Sequence, residues 1–284
     1  MSSTIALEQI ERIVRNQHHN PFEVLGPHAI EQDGKQVWVV RSYLPTADMA
    51  WVILPSARKE YPMQNEQHSE FFEAVLEEEP ANYQIRYKSG PNEHVIHDPY
   101  AFKSPVITEF DEYLFAEGNH HRIYEKMGAH PMTQDGIAGV YFALWAPNAR
   151  NVSVTGDFNN WDGRQHQMRK GSTGIWDLFI PQLEVGTAYK YEVKNYDGHI
   201  YEKSDPYGFY REIRPDTASI VASLDQYQWQ DDDWMEHRRQ TDQMTQPVAV
   251  YEVHLGSWLH ESSATPAKNA DGSDAPVVTV ADLK

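Results

Sequence analysis

The chain contains itself twice. His18-His19-Asn20-Pro21-Phe22-Glu23-Val24-Leu25-Gly26-Pro27-His28 returns 102 positions later as His120-His121-Arg122-Ile123-Tyr124-Glu125-Lys126-Met127-Gly128-Ala129-His130. The paired histidines, the glutamate, the glycine and the last histidine are unchanged, and Phe22 to Tyr124 and Leu25 to Met127 are like-for-like exchanges. At the same shift Val40, Tyr43, Pro45 and Ala47 fall on Phe142, Trp145, Pro147 and Ala149, and Ala50, Val52 and Leu54 on Val152, Val154 and Gly156. The offset then drifts, so that Tyr83 falls on Tyr189, and both copies close on Asp-Pro-Tyr-x-Phe, starting at Asp98 and at Asp205. A repeat of this length means two folded units of roughly 100 residues each.

Within each copy the apolar runs are short, rich in β-branched and aromatic residues, and separated by Gly, Pro, Asn and Asp, as in a β-sandwich. Tyr189, Tyr191 and Val193 alternate with Lys190, Glu192 and Lys194, giving one buried and one wet face. Asn195-Tyr196-Asp197-Gly198 supplies the hairpin turn that follows, because Asp-Gly tolerates positive φ. The expected fold is mainly β, with two tandem immunoglobulin-like β-sandwiches at 18–110 and 119–225. Residues 1–17 read as an amphipathic helix carrying Ile5, Leu7, Ile10, Ile13 and Val14, and 226–247 as a linker. A new apolar strand is expected from Val248, leading into a loop rich in Ser, Ala, Asp and Gly.

The formal charge of -18, with acidic runs at 77–79 and 231–233 and no basic stripe, disfavours nucleic acid and anionic membranes and favours a neutral or cationic partner. No cysteine is present, which removes disulfides and cysteine-based zinc sites and suits the cytoplasm. No window approaches the ~18 consecutive apolar residues of a membrane span, and the N-terminal helix lacks the apolar core of a signal peptide. The expectation is a cytoplasmic chain. His18-His19 and His120-His121 invite a metal reading, but adjacent side chains on an extended backbone point apart and nothing completes a four-ligand set, so a structural turn is expected and no metal.

The sharpest local feature is Gly156-Asp157-Phe158-Asn159-Asn160-Trp161, directly after a strand of the second copy. On its own it could be a polar turn that folds a Trp back onto the sandwich. Sugar rings, however, have apolar C–H faces and polar rims, so holding them takes a flat aromatic beside amide or charged hydrogen-bonding groups. Trp161, Asn160 and Lys190 are those types. A Trp covering ~100 Å² of sugar contributes about 2 kcal/mol before ordering costs. The site would be weak, with a dissociation constant on the order of 0.1 to 1 mM.

This loop, with Gly174-Ile175-Trp176-Asp177-Leu178-Phe179-Ile180-Pro181 and Tyr189-Lys190-Tyr191, resembles the glycogen-binding modules that precede starch- and glycogen-acting enzymes. The resemblance implies that Trp161 and Lys190 contact glucan. Binding members of that class often carry a second Trp after the Asp-Gly turn, where this chain has His199-Ile200-Tyr201, so a glucan-holding and a purely structural module both remain open. The stretch from His18 to His28 resembles the opening of the first N-terminal domain of long bacterial glycogen branching enzymes. Val250-Tyr251-Glu252-Val253-His254-Leu255-Gly256-Ser257-Trp258 resembles the first strand of the (β/α)8 barrel of the α-amylase superfamily, here a truncated start at 248–284.

What that family implies is a retaining transfer of α-1,4-glucan segments to form α-1,6 branches in glycogen, with α-glucan (glycogen, amylose) as partner, no cofactor, and a monomer. Such chemistry needs a carboxylate nucleophile and a carboxylic acid about 5 Å apart, standing at later barrel strands. Only 37 residues follow from Val248, against roughly 250 for a barrel, and the family's catalytic motifs do not occur. No catalytic residue is therefore assigned, and the chain alone is expected to be inert. Two alternatives stay open: a stand-alone glycogen-binding or scaffolding module, and a tandem adhesion protein.

Overall fold

The computed structural model describes residues 4–254 apart from 33, 66, 67, 226 and 246. It divides into two compact units, 1–226 and 227–284.

In the first unit the duplication becomes geometry. The first copy has strands β1 (Gly26–Gln32), β2 (Lys35–Tyr43), β3 (Met49–Leu54), β4 (Lys59–Pro62), β5 (Phe71–Leu76), β6 (Gln84–Ser89) and β7 (Asn92–His97). They form a sheet β1-β2-β5 and a sheet β4-β3-β6-β7, with every pairing antiparallel. The second copy has β8 (Gly128–Gln134), β9 (Ile137–Trp145), β10 (Asn151–Thr155), β11 (Arg169–Lys170), β12 (Ile175–Pro181), β13 (Ala188–Lys194), β14 (Ile200–Lys203), β15 (Tyr210–Arg211) and β16 (Ser219–Ile220). Its sheets are β11-β12-β9-β8 and β10-β13-β16-β15, with β14 on the side of β13. Strands β8 and β9 begin and end 102 residues after β1 and β2.

Each copy closes a core between its two sheets. Val40, Val52, Phe72, Leu76 and Ile85 meet in the first, and Phe142, Val152, Val154, Leu178 and Tyr191 in the second. The alternation that makes this possible is visible in β13, where Tyr189 and Tyr191 are buried and Lys190 is not. The expected hairpin also forms: Gly198 has φ +88 and β13 pairs antiparallel with β14.

The repeated residues do the same work twice. His28 and His130 each bond a carbonyl three residues back, Leu25 O at 3.0 Å and Met127 O at 2.9 Å. Asp98 accepts Tyr100 N–H at 3.0 Å and Tyr83 O–H at 2.5 Å, and Asp205 accepts Tyr207 N–H at 2.8 Å and Tyr189 O–H at 2.6 Å. Both carboxyls are buried, and burial raises both, Asp98 to about 6. The first histidine of each pair bonds a side chain nine positions earlier, His18 Nε2 to Gln9 Oε1 at 2.9 Å and His120 Nε2 to Asp111 Oδ1 at 2.9 Å, while the His18 and His19 rings, expected to point apart, stack at 5.4 Å.

Those two hydrogen bonds extend the repeat beyond the histidines. Helix α1 (Leu7–Val14) has a counterpart 102 residues on, α2 (Glu109–Ala116), placed where the sequence reading leaves a gap between its two sandwiches. Thr108 and Asp111 close a reciprocal capping box on α2. The pattern Thr-x-x-Asp was available as a signal. Similarity was not, because α1 buries Ile10 and Ile13 whereas α2 carries Glu112 and Phe115 at those positions.

In the second unit, helix α3 (Asp232–Gln240) occupies what reads in sequence as linker, with Arg238 lying over the Trp234 ring at 5.6 Å. Tyr227 and Trp229 meet edge to face at 4.9 Å. No strand is assigned over residues 248–254, the described part of the segment from Val248, and Val248, Val250 and Tyr251 are exposed. A buried parallel strand forms only with neighbours on both sides that satisfy its backbone. Residues 255–284, with the rest of the barrel-start reading, lie outside the described residues.

Candidate functional site

Strand β10 ends at Thr155, paired with Lys190 of β13, so the loop that follows β10 rises beside Lys190. Gly156 is extended, and a Cβ there would meet Phe158 Cε1 at 2.4 Å and Ala188 O at 2.5 Å, so only glycine fits. One turn of 3-10 helix (Asp157–Asn159) follows, and then Asn160 and Trp161 both take positive φ, at +53 and +59. Two consecutive side chains in the left-handed region are unfavourable, and the surrounding bonds must hold them.

Asn159 supplies that hold. Fully buried, it accepts Gly156 N–H at 3.0 Å, donates to Val154 O at 2.9 Å, and donates to His166 Nδ1 at 2.9 Å. His166 is then an acceptor at Nδ1 and therefore neutral, consistent with burial lowering it to about 4. Trp161 N–H reaches back to Gly156 O at 2.9 Å, and its indole Nε1–H donates to Asp157 Oδ1 at 2.8 Å. The ring is thus clamped at its polar edge and 36% exposed.

Lys190 sits on the wet face of β13 with its Nζ 5.8 Å from the Trp161 ring centroid, within cation–π reach, and 3.6 Å from Glu202 on β14. Asn160, which precedes Trp161 in the chain, is exposed. Of the three residues singled out in the sequence, Trp161 and Lys190 come together, an anchored aromatic plane beside an ammonium, and Asn160 is exposed next to Trp161 in the chain. Ile200 occupies the same face of the sheet, opposite Lys194 and half exposed.

Sequence reasoning missed the supports. Asp157 orients the indole, Glu202 positions Lys190, and Asn159 with His166 fixes the turn. Asp157 and Asn159 lie inside the motif, where type and spacing do not say which of two adjacent asparagines is buried. Glu202 and His166 carry no local signal at all, since strand register and burial place them.

The fold is a tandem of antiparallel β-sandwiches, the second carrying an anchored, partly exposed Trp beside a lysine. Residues 126–208 match the model for carbohydrate-binding module 48 (isoamylase N-terminal domain), and residues 6–100 match the N-terminal domain of the α-1,4-glucan branching enzyme GlgB. The 1,4-alpha-glucan branching enzyme GlgB of Trichormus variabilis is 64% identical over 99% of this chain, and that of Synechocystis sp. is 61% identical over 98%. The chain belongs to the 1,4-α-glucan branching enzyme family, of which it carries the N-terminal portion. It spans 37% of the length of the Trichormus relative and 36% of the Synechocystis one.

Among the described residues no helix is long and apolar enough to cross a membrane.

Proposed function

We propose that the second sandwich holds α-1,4-linked glucan weakly at Trp161, Asn160 and Lys190, and that the chain is the glucan-positioning part of an enzyme that builds α-1,6 branches. The observation that carries this reading is the Trp161 indole, kept at the surface by the Asp157 bond and flanked by Lys190. A Trp that served only packing would bury its ring and need no such clamp at its edge. The carbohydrate-binding family match over 126–208 supports the same ligand class, and a net charge of -18 is compatible with a neutral polymer. Branching itself belongs to a carboxylate pair that this chain does not supply, so the chain alone is inactive. Absence of cysteine fits a cytoplasmic setting.

Affinity electrophoresis in glycogen-containing gels tests the site. Wild-type chain is retarded, and Trp161→Ala loses about 2 kcal/mol of binding, roughly thirtyfold in affinity. Unretarded migration of the wild type would sink the glucan reading and leave the module a structural one. A change in the iodine spectrum of amylose caused by this chain alone would overturn the assignment of branching to residues outside it.

A further inference from the structure

Trp161 sits on a loop that is braced from outside its own sandwich. After the loop the chain returns along β10, with Val154 N–H on His166 O at 3.0 Å and Met168 N–H on Val152 O at 2.9 Å. The first copy makes the same return, Met63 N–H to Ala50 O at 2.9 Å, and there β4 stays paired with β3 from Trp51 and Pro62 to Leu54 and Lys59. In the second copy an isolated bridge, Ser153 with Gln167, stands in place of that ladder, and the base of the 156–163 loop is held by other means.

Those means lie on the first sandwich and on helix α1. Tyr100 O–H donates to Gln167 O at 3.2 Å and accepts Gln167 N–H at 2.9 Å, and Gln167 Nε2 donates to Ile13 O at 2.8 Å. Both Tyr100 and Gln167 are buried, whereas Pro62, on the corresponding return of the first copy, is exposed. Arg164 lies over the Tyr43 ring at 5.6 Å and 3.8 Å from the Glu70 carboxylate, which also accepts Tyr43 O–H at 3.1 Å.

On its other side the same segment grips the loop. Arg164 clasps Asp162, the residue after Trp161, through Nε at 2.9 Å and Nη2 at 2.8 Å. Gln165 Nε2 donates to Asn159 O at 3.0 Å, and His166 accepts the Asn159 amide. Asn16, just after α1, donates to Glu192 at 3.0 Å, two residues from Lys190 on the same face of β13. Residues 164–167 therefore connect the first sandwich to both asparagine and aspartate supports of the indole.

Positive φ at both Asn160 and Trp161 persists only where the surroundings over-determine it. We propose that the first sandwich is a positioning element for the glucan surface of the second: Tyr43, Glu70 and Tyr100 hold residues 164–167, and these hold the loop in the conformation that presents Trp161. The proposal rests on the glucan reading of Trp161. Apparent affinity falls in proportion to the fraction of molecules that present the ring, so loosening the brace weakens binding from a distance.

Affinity electrophoresis in glycogen, with the 284-residue chain and conditions under which circular dichroism shows every variant folded, tests it. Tyr100→Phe, which removes both bonds to Gln167, should weaken retention about tenfold, and Glu70→Gln, on a half-exposed side chain, about threefold. In both, main-chain hydrogen exchange at Trp161, whose N–H bonds Gly156 O, should speed up. Val52→Ala destabilises the first sandwich by a core cavity away from this junction and should leave retention unchanged. A wild-type chain that glycogen does not retard removes the glucan reading and this proposal with it. If the wild type is retarded and Tyr100→Phe and Glu70→Gln are retarded as strongly, the positioning role alone is overturned. Equal weakening by Val52→Ala overturns it as well, since loss of stability would then account for the effect.

Discussion

Alanine at Gly26 and, separately, at Gly128 tests the duplicated turn with each copy as the other's control. Both glycines take positive φ, +84 and +100, so a side chain at either costs about 1–2 kcal/mol in backbone strain. The surroundings then separate them. A Cβ on Gly26 would lie 2.4 Å from Tyr100 O, a main-chain atom that cannot swing aside, and Tyr100 is itself tied to Gln167 at the junction of the two sandwiches. A Cβ on Gly128 would lie 3.1 Å from Tyr207 O, and a shift of a few tenths of an ångström relieves it. Overpacking against fixed atoms adds about 1–3 kcal/mol, so Gly26→Ala should cost about 2–5 kcal/mol and Gly128→Ala about 1–2. Urea unfolding followed by tryptophan fluorescence measures both, and the comparison holds if the denaturant slope is unchanged. A loss at Gly128→Ala equal to or larger than that at Gly26→Ala would refute the argument.

Burial raises the Asp98 carboxyl to about 6, above its ordinary value, so folding favours its protonated form. Stability from this group is greatest below about pH 4 and is lost as pH rises through 6, by up to about 3 kcal/mol. Asp98→Asn should flatten that part of the pH–stability curve, and an unchanged slope between pH 4 and 6 in denaturation experiments would count against it. Arg169 is paired with Asp177 at 2.8 Å, with both side chains largely buried, so Arg169→Ala strands a carboxylate and should cost about 3–5 kcal/mol. Arg164, more exposed and paired with Asp162, should cost no more than about 1 kcal/mol when replaced by alanine. Thermal unfolding of the two variants gives the order, and its reversal would contradict the burial argument.

Much of the architecture was legible because strand patterning and turn chemistry are local. The glycines of the two His-to-His stretches, the Asp-Pro-Tyr-x-Phe closures and the alternation around Lys190 each state their role within a few residues. The second helix was not legible as part of the repeat. A helix that buries Ile10 and Ile13 in one copy and presents Glu112 to Ser172 in the other keeps its place in the fold while losing its sequence identity. At 248–254 no strand is assigned for a related reason: the apolar pattern matches a strand, but pairing is not a property of the segment.

The candidate site divides along the same line. Composition and spacing by themselves determined that Gly156 to Trp161 forms a turn bearing an aromatic, and that Lys190 faces solvent on an alternating strand. Only the tertiary structure decided that Asn159 is the buried staple and Asn160 the exposed amide, that Asp157 clamps the indole, and that Lys190 shares its charge with Glu202. Whether Tyr43 is covered and Trp145 open was likewise a matter of the fold. The physical reason is range: backbone preference and periodicity act over a few residues, whereas burial and pairing depend on which distant segment arrives to displace the water.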